Sequence, residues 1–352
     1  MLNYSYLIQM TRKPGILQFS HHDKPDKTSG YTLDDNARAA ILTLLMPTSY
    51  RRQLLPCYAD FMRKATENHF VWHNFMNADG AFPKDEQASS DSRGRAFLSF
   101  CLVNNQNPAL DTPALLEQLL QGVFPIWETS SLRARSYILL AINSIEPELI
   151  REHPVERLLN GIRNEIISSL LDAYDASHSL RWHWYENKLT YCNGILPHAL
   201  LTCPHTPENR AIFTIARDSL LFLCDTLFRT GYLNIIGNHG WWEKGKQTPA
   251  LFDQQPVDAA SIALACLAAY ECFEEPSWLE LAQKARDWFS GDNIHCLPLI
   301  DPKSGGCFDA LTKTGVNENQ GAESLLSYLL TFHAVGKYSL KEVPSSSAAA
   351  TV

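Results

Sequence analysis

Several things are scarce in this chain, and each scarcity removes a class of protein. Its nine cysteines are an odd number, lie scattered in apolar stretches such as "FLSFCLVNN" and "LLFLCDTLF", and form no CxxC pair. That usage excludes a disulfide scaffold and a cysteine zinc site, and it fits a reducing compartment. Lys and Arg form no long block, and a net charge of -8 with a pI near 5.8 excludes a nucleic-acid or anionic-membrane surface. No run is read as long and apolar enough to cross a bilayer. The opening "MLNYSYLIQMTRKPG" is broken by Asn3, Tyr4, Ser5 and Gln9, so no secretory leader is expected and a cytoplasmic location is.

Familiar catalytic and cofactor motifs are missing as well. There is no HExxH, no GxGxxG after a strand, no GxxxxGKS/T and no GxSxG. His21, His22 and Asp23, together with His183 and His239, follow no metal-ligand spacing and read as hydrogen-bonding groups. No metal and no cofactor are expected.

Strand-like alternation is almost absent too. What is present is apolar spacing at three and four residues, which predicts helices near 2–12, 35–46, 49–68, 93–104, 112–123, 131–144, 154–175, 193–202, 207–229, 257–273, 277–290 and 319–334. Two starts carry their own signals: Thr206 with Pro207, and a capping box of Ser277 and Glu280. The tail "VPSSSAAATV" has nothing to bury, so a single domain over 1–340 is expected, followed by a disordered 341–352.

The helices belong to a recurring unit: a loop of glycine, aromatic and polar residues, then an apolar helix rich in small residues. Six copies are legible, among them "HHDKPDKTSGYTLDDNARAAILTLL", "HGWWEKGKQTPALFDQQPVDAASIALACLAAY" and "GGCFDALTKTGVNENQGAESLLSYLL". Their helix starts recur at about 40 to 65 residues, room for one helical hairpin each. Six hairpins suggest a closed (α/α)6 toroid, an all-α fold, rather than an open solenoid, whose repeats are shorter and more uniform. The helices lining such a ring are surrounded by protein, which accounts for runs such as "AASIALACLAAY". Their N-termini converge on a central funnel.

Carboxylates recur at that point of the unit: Asp34 and Asp35 in the first repeat, Asp258 in the fifth, Glu318 and Glu323 in the sixth. Arginines replace them in the second and third, as Arg93 and Arg95, then Arg133 and Arg135. An acidic helix start is also a good cap, which explains one of the adjacent aspartates but not the pair. Carboxylates facing guanidinium and amide groups suit a polyhydroxylated ligand. Trp182, Trp184, Tyr185, Trp241 and Trp242 could floor such a site, since flat rings pack on the apolar faces of sugars.

The stretches "GILQFSHHDKPDKTSGYTLDDNARAA", "QPVDAASIALACLAAY" and "GGCFDALTKTGVNENQGAESLLSYLLT" resemble the six-hairpin glycosidase-like domains of bacteria, found alone or joined to sugar glycosyltransferases. The resemblance covers nearly the whole chain before the tail, and "GYTLDDNARA" and "NENQGAES" are its most specific parts. It implies an (α/α)6 toroid in carbohydrate metabolism, with a glycosyltransferase as the implied protein partner.

These readings converge on glycoside hydrolysis of an oligosaccharide or sugar conjugate by two carboxylic groups. Asp35 or Asp34 is expected to supply one, and Glu323 or Asp258 the other, with inversion at the anomeric carbon because the first and sixth repeats leave space for a water. Trp184, Trp241 and Trp242 are expected to stack on the sugar; Asn36, Arg38, Asn319 and Gln320 to hydrogen bond it; and His239, Glu243 and Glu318 to reach it from their loops. A non-catalytic carbohydrate-binding module and a sugar epimerase or isomerase are the alternatives. The epimerase usually needs paired histidines, which do not recur at the helix starts.

Overall fold

The computed structural model describes residues 2–68, 71–106, 112–123 and 131–339, so the expected 341–352 tail lies outside the described residues. In chain order, a short α1 (Ser5–Met10) precedes α2 (Leu33–Leu45), α3 (Thr48–Ala65), α4 (Ser90–Asn104), α5 (Thr112–Val123) and α6 (Leu132–Ser144). Then follow α7 (Pro154–Ser177), α8 (Ile195–Leu201), α9 (Arg210–Leu227), α10 (Pro256–Phe273), α11 (Pro276–Asp287) and α12 (Ala322–Ser339). Each expected helix is present.

Alternate helices form an inner ring. α2 packs on α4, α4 on α6, α6 on α8, α8 on α10, α10 on α12, and α12 returns to α2. Outside it, α3, α5, α7, α9 and α11 each pack on the inner helix that precedes them. α1 completes the outer layer: the Tyr4 hydroxyl meets His333 Nε2 of α12 at 2.8 Å, and the two rings stack. The ring therefore closes through both ends of the chain.

Inner and outer helices differ as their burial requires. α9, with one face on the ring, buries Ile212, Ala216, Leu220, Leu223 and Leu227 at helical spacing. α10 buries Ala259, Ala260, Ile262, Ala263, Ala265 and Cys266, residues from every side. Those 18 residues have a mean hydropathy of 1.3, high enough to be mistaken for a membrane span, although about two-thirds of the segment is inside the protein.

The regular strands are short antiparallel pairs in the loops at the N-terminal ends of the inner helices. Tyr31–Thr32 pairs with Phe75–Met76, Lys188–Leu189 with Trp242–Glu243, and Ala310–Thr312 with Gly315–Asn317. They brace the loops that roof this end of the ring. Two cap expectations need correction. The N-cap of α11 is Glu275, which puts Ser277 inside the helix, so no capping box with Glu280 forms. Thr206 opens a single 3-10 turn at Pro207–Asn209 rather than α9 itself.

Candidate active site

Thr32, not either aspartate, caps α2: its Oγ1 accepts from the Asp35 N–H at 3.2 Å and donates to Asp35 Oδ2 at 2.7 Å. This frees both acidic side chains for other partners. Arg38, one turn on, donates from Nη1 to Asp35 Oδ1 at 3.0 Å and from Nη2 to Glu323 Oε2 of α12 at 2.6 Å. Asp34 turns the other way, accepting from Ser92 Oγ at 2.8 Å and from Arg95 Nη1, both on α4. Arg95 continues to the Tyr137 hydroxyl of α6 at 2.9 Å and lies over that ring.

The same pattern runs on around the ring. Arg133 of α6 donates to Asn193 at 3.1 Å, just before α8, and to Glu186 at 2.9 Å. The Cys192 N–H beside α8 donates to Asp258 Oδ1 of α10 at 2.5 Å. The acidic and basic residues of different repeats are thus largely one another's partners, tying consecutive inner helices together.

Above this belt lies a polar chamber of about 350 Å³, lined by Asp34, Asp35, Arg38, Asp253, Asp309 and Glu323, with Asn74, Asn238, Gln255 and Asn317 among the amides. The carboxylates differ in environment. Burial alone would raise the pKa of Asp34, but Arg95 and Arg38 outweigh it and hold the group below the usual range. Burial pushes Asp35 up to about 6 despite Arg38, with Glu323 adding repulsion. Asp309 is also raised, by burial and by Glu323, against the Gly321 N–H that donates to its Oδ1 at 2.7 Å. Glu323 is the open member, with 43% of its side chain exposed against 6% for Asp35.

No protein-family model matches the chain, and no curated protein matches it. Solved structures do. Cellobiose 2-epimerase from Bacillus thermoamylovorans B4167 aligns over 96% of each chain with a TM-score of 0.69 at 12% identity. A sugar epimerase from a ruminal bacterium aligns over 95% of each with a TM-score of 0.69 at 10% identity. A cellulase of C. cellulolyticum in complex with cellobiose covers 92% of this chain and 88% of its own, with a TM-score of 0.56 at 11% identity. The chain has the six-hairpin (α/α)6 toroid fold. Glycoside hydrolases and sugar epimerases both occur among its structural neighbours.

Within the toroid, the structure brings Asp34, Asp35, Arg38 and Glu323 into one chamber and sends other expected residues elsewhere. Asp258 is buried in its bond to Cys192, and burial raises its pKa to about 7. Asn36 is also buried, bonded to the Ile16 N–H and the Thr32 carbonyl. Gln320 is buried against Ser304 and Asp301. Asn319 accepts from the His22 N–H, and Glu318 pairs with the His22 ring at 3.0 Å. Glu243 is held by Lys246 at 2.8 Å, and His239 is exposed, 4.0 Å from Asp253.

The aromatic floor is the clearest correction. Trp184 is fully buried, edge-on to Tyr185, and cannot stack on a ligand. Trp242 packs with Trp182 and Phe222 and donates its ring N–H to the Lys246 carbonyl; Trp241 lies 6.4 Å from the Tyr191 ring. Neither lines the chamber. Conversely, Asp253 and Asp309 were not singled out from the sequence, because they lie in loops rather than at helix starts. An acid set among apolar neighbours in "GGCFDALT" was the available signal for Asp309.

Proposed function

We propose that the chain is a glycoside hydrolase in which Asp309 and Glu323 act as the paired carboxylic groups. The observation that carries this reading is the composition of the chamber: among the described residues, five carboxylates line it and no histidine does. Two of the five are constrained in ways that suit support better than chemistry. Asp34 is spent on Arg95, and both oxygens of Asp35 are engaged, by Thr32 and Arg38. Asp35 and Arg38 together orient Glu323. Asp253 adds negative charge at the rim.

Asp309, whose carboxyl burial shifts toward the protonated form, would protonate the leaving glycosidic oxygen. Glu323, open to the chamber, would activate water or attack the anomeric carbon. The chamber amides suit sugar hydroxyls, which makes an oligosaccharide or sugar conjugate the substrate class. The space between Asp35 and Glu323 that motivated inversion holds the Arg38 guanidinium instead, so that pair no longer argues for either stereochemical course.

A sugar epimerase or isomerase is the second reading, favoured by the overall likeness to epimerases and opposed by the absence of a histidine pair among the described residues that line the chamber. The experiment is a product screen on mannan, glucan and related oligosaccharides, followed by Glu323→Gln and Asp309→Asn. Each change is expected to lower kcat by about 10²–10⁴-fold with little effect on KM. Full turnover in both variants, with unchanged circular dichroism, would remove the pair from the mechanism.

A further inference from the structure

Below the belt of ion pairs the ring axis is hollow. A second cavity of about 370 Å³ runs from Arg38, Arg95 and Tyr137 toward the C-terminal ends of the inner helices, and all six of those helices line it. Its wall is apolar: Ile41 and Leu45 of α2, Leu98 and Leu102 of α4, Leu140 of α6 and Leu264 of α10. Most of these side chains are only partly buried, although they point into the middle of the protein. The positions repeat at three and four residues, so each helix offers one stripe to the axis.

The chemistry of the walls selects an occupant. The volume would hold about a dozen waters at about 30 Å³ each, and each water needs two to four polar partners. The polar groups available are few. Arg38 and Arg95 at the ceiling are already paired with Asp35, Glu323 and Asp34, and the Tyr137 hydroxyl is taken by Arg95. His198, on the wall, is kept neutral by burial, which pushes its pKa down to about 4. Among the described residues, an anion therefore finds no free positive charge here.

Shape narrows the class further. From Arg38 to Leu45 a helix rises about 10 Å, so a 370 Å³ space averages about 7 Å across, wider than an extended alkyl chain and close to the width of an aromatic ring. We infer that the lower half of the ring axis is a binding site for an uncharged, compact apolar molecule of aryl or fused-ring type. It is separated from the carboxylate chamber by the arginine belt and does not depend on the hydrolase reading. Polar residues Asn143, Ser144 and Thr202 at its outer end can orient one polar atom of the ligand.

The test is fluorescence titration of the full chain with the neutral probe N-phenyl-1-naphthylamine. One saturable site is expected, weakened at least ten-fold by Leu98→Gln and by Leu264→Gln, and unchanged by Asp253→Asn, which alters the upper chamber alone. Two variants on different helices are used because either alone could disturb packing; circular dichroism confirms that each is folded. Absence of saturable binding, or equal affinity in both folded leucine variants, would overturn the assignment.

Discussion

Asp258 is buried and Asp34 half-buried, both at inner-helix starts, yet their effects on stability have opposite signs. Asp258 meets no guanidinium directly, and its folded pKa of about 7 lies above the unfolded value of about 3.9. The folded state therefore holds a proton that the unfolded chain releases. Its contribution is fully present below pH 4 and is lost as pH rises through 7. Asp258→Asn keeps an acceptor for the Cys192 N–H without the charge, so thermal melts should show the variant several degrees more stable than wild type at pH 8 and little different at pH 4. A less stable variant at pH 8 would contradict the account. Asp34, held low by Arg95, contributes stability that is present at neutral pH and lost in acid. Asp34→Ala should cost about 3–5 kcal/mol in urea denaturation at pH 7, because Arg95 is left buried without its partner. Sequence pattern located these acids but not their pairing. An acid at a helix start looks the same whether it faces a ligand or an arginine of the next repeat. Trp184 was misread for a related reason: a tryptophan among polar residues in a loop resembles a platform until the loop folds inward.

At the scale of elements, small residues decide how closely the inner helices approach. A Cβ on Gly194 would lie 2.3 Å from the Ser261 carbonyl oxygen, a backbone atom that no rotamer change can move. α8 is thereby set against α10, and the Cys192 N–H is brought to Asp258. Gly194→Val should destabilise the fold by more than about 2 kcal/mol, whereas the same change at Gly161, an exposed position inside α7 where nothing lies within 4 Å, should leave stability within about 0.5 kcal/mol, because valine is no worse a helix former than glycine. Chemical denaturation of the two variants compares them directly. The helices themselves were legible because most are long, apolar on at least one side and bounded by polar loops. α10 was the easiest, since a run such as "AASIALACLAAY" leaves no charged face for water and so marks an enclosed helix in a ring of repeats. The cap of α11 was harder: Ser277 and Glu280 have the right spacing, but Pro276 takes the first helical position and shifts the start by two residues.

For the whole molecule, closure is the property that distinguishes this ring from a stack of hairpins. α1 and α12 meet through Tyr4, which is buried between His333 and Tyr50. Tyr4→Ala should cost about 3 kcal/mol and lower the single unfolding midpoint. A separate early transition confined to the terminal hairpins would show instead that the ring is not one cooperative unit. Repeat spacing was sufficient to foresee six hairpins and the end at which polar residues gather. It could not foresee that the axis is divided into a carboxylate chamber and an apolar cavity, because that division is made by arginines whose partners lie in other repeats. The central claim concerns the upper of the two spaces, and it is tested most directly by following the reaction in heavy-oxygen water by mass spectrometry, with wild type beside Glu323→Gln. The account predicts shortened sugars carrying one solvent oxygen per bond cleaved, formed by wild type and nearly abolished in the variant. An isomer of unchanged mass, formed without solvent oxygen in the cleaved position, would contradict it.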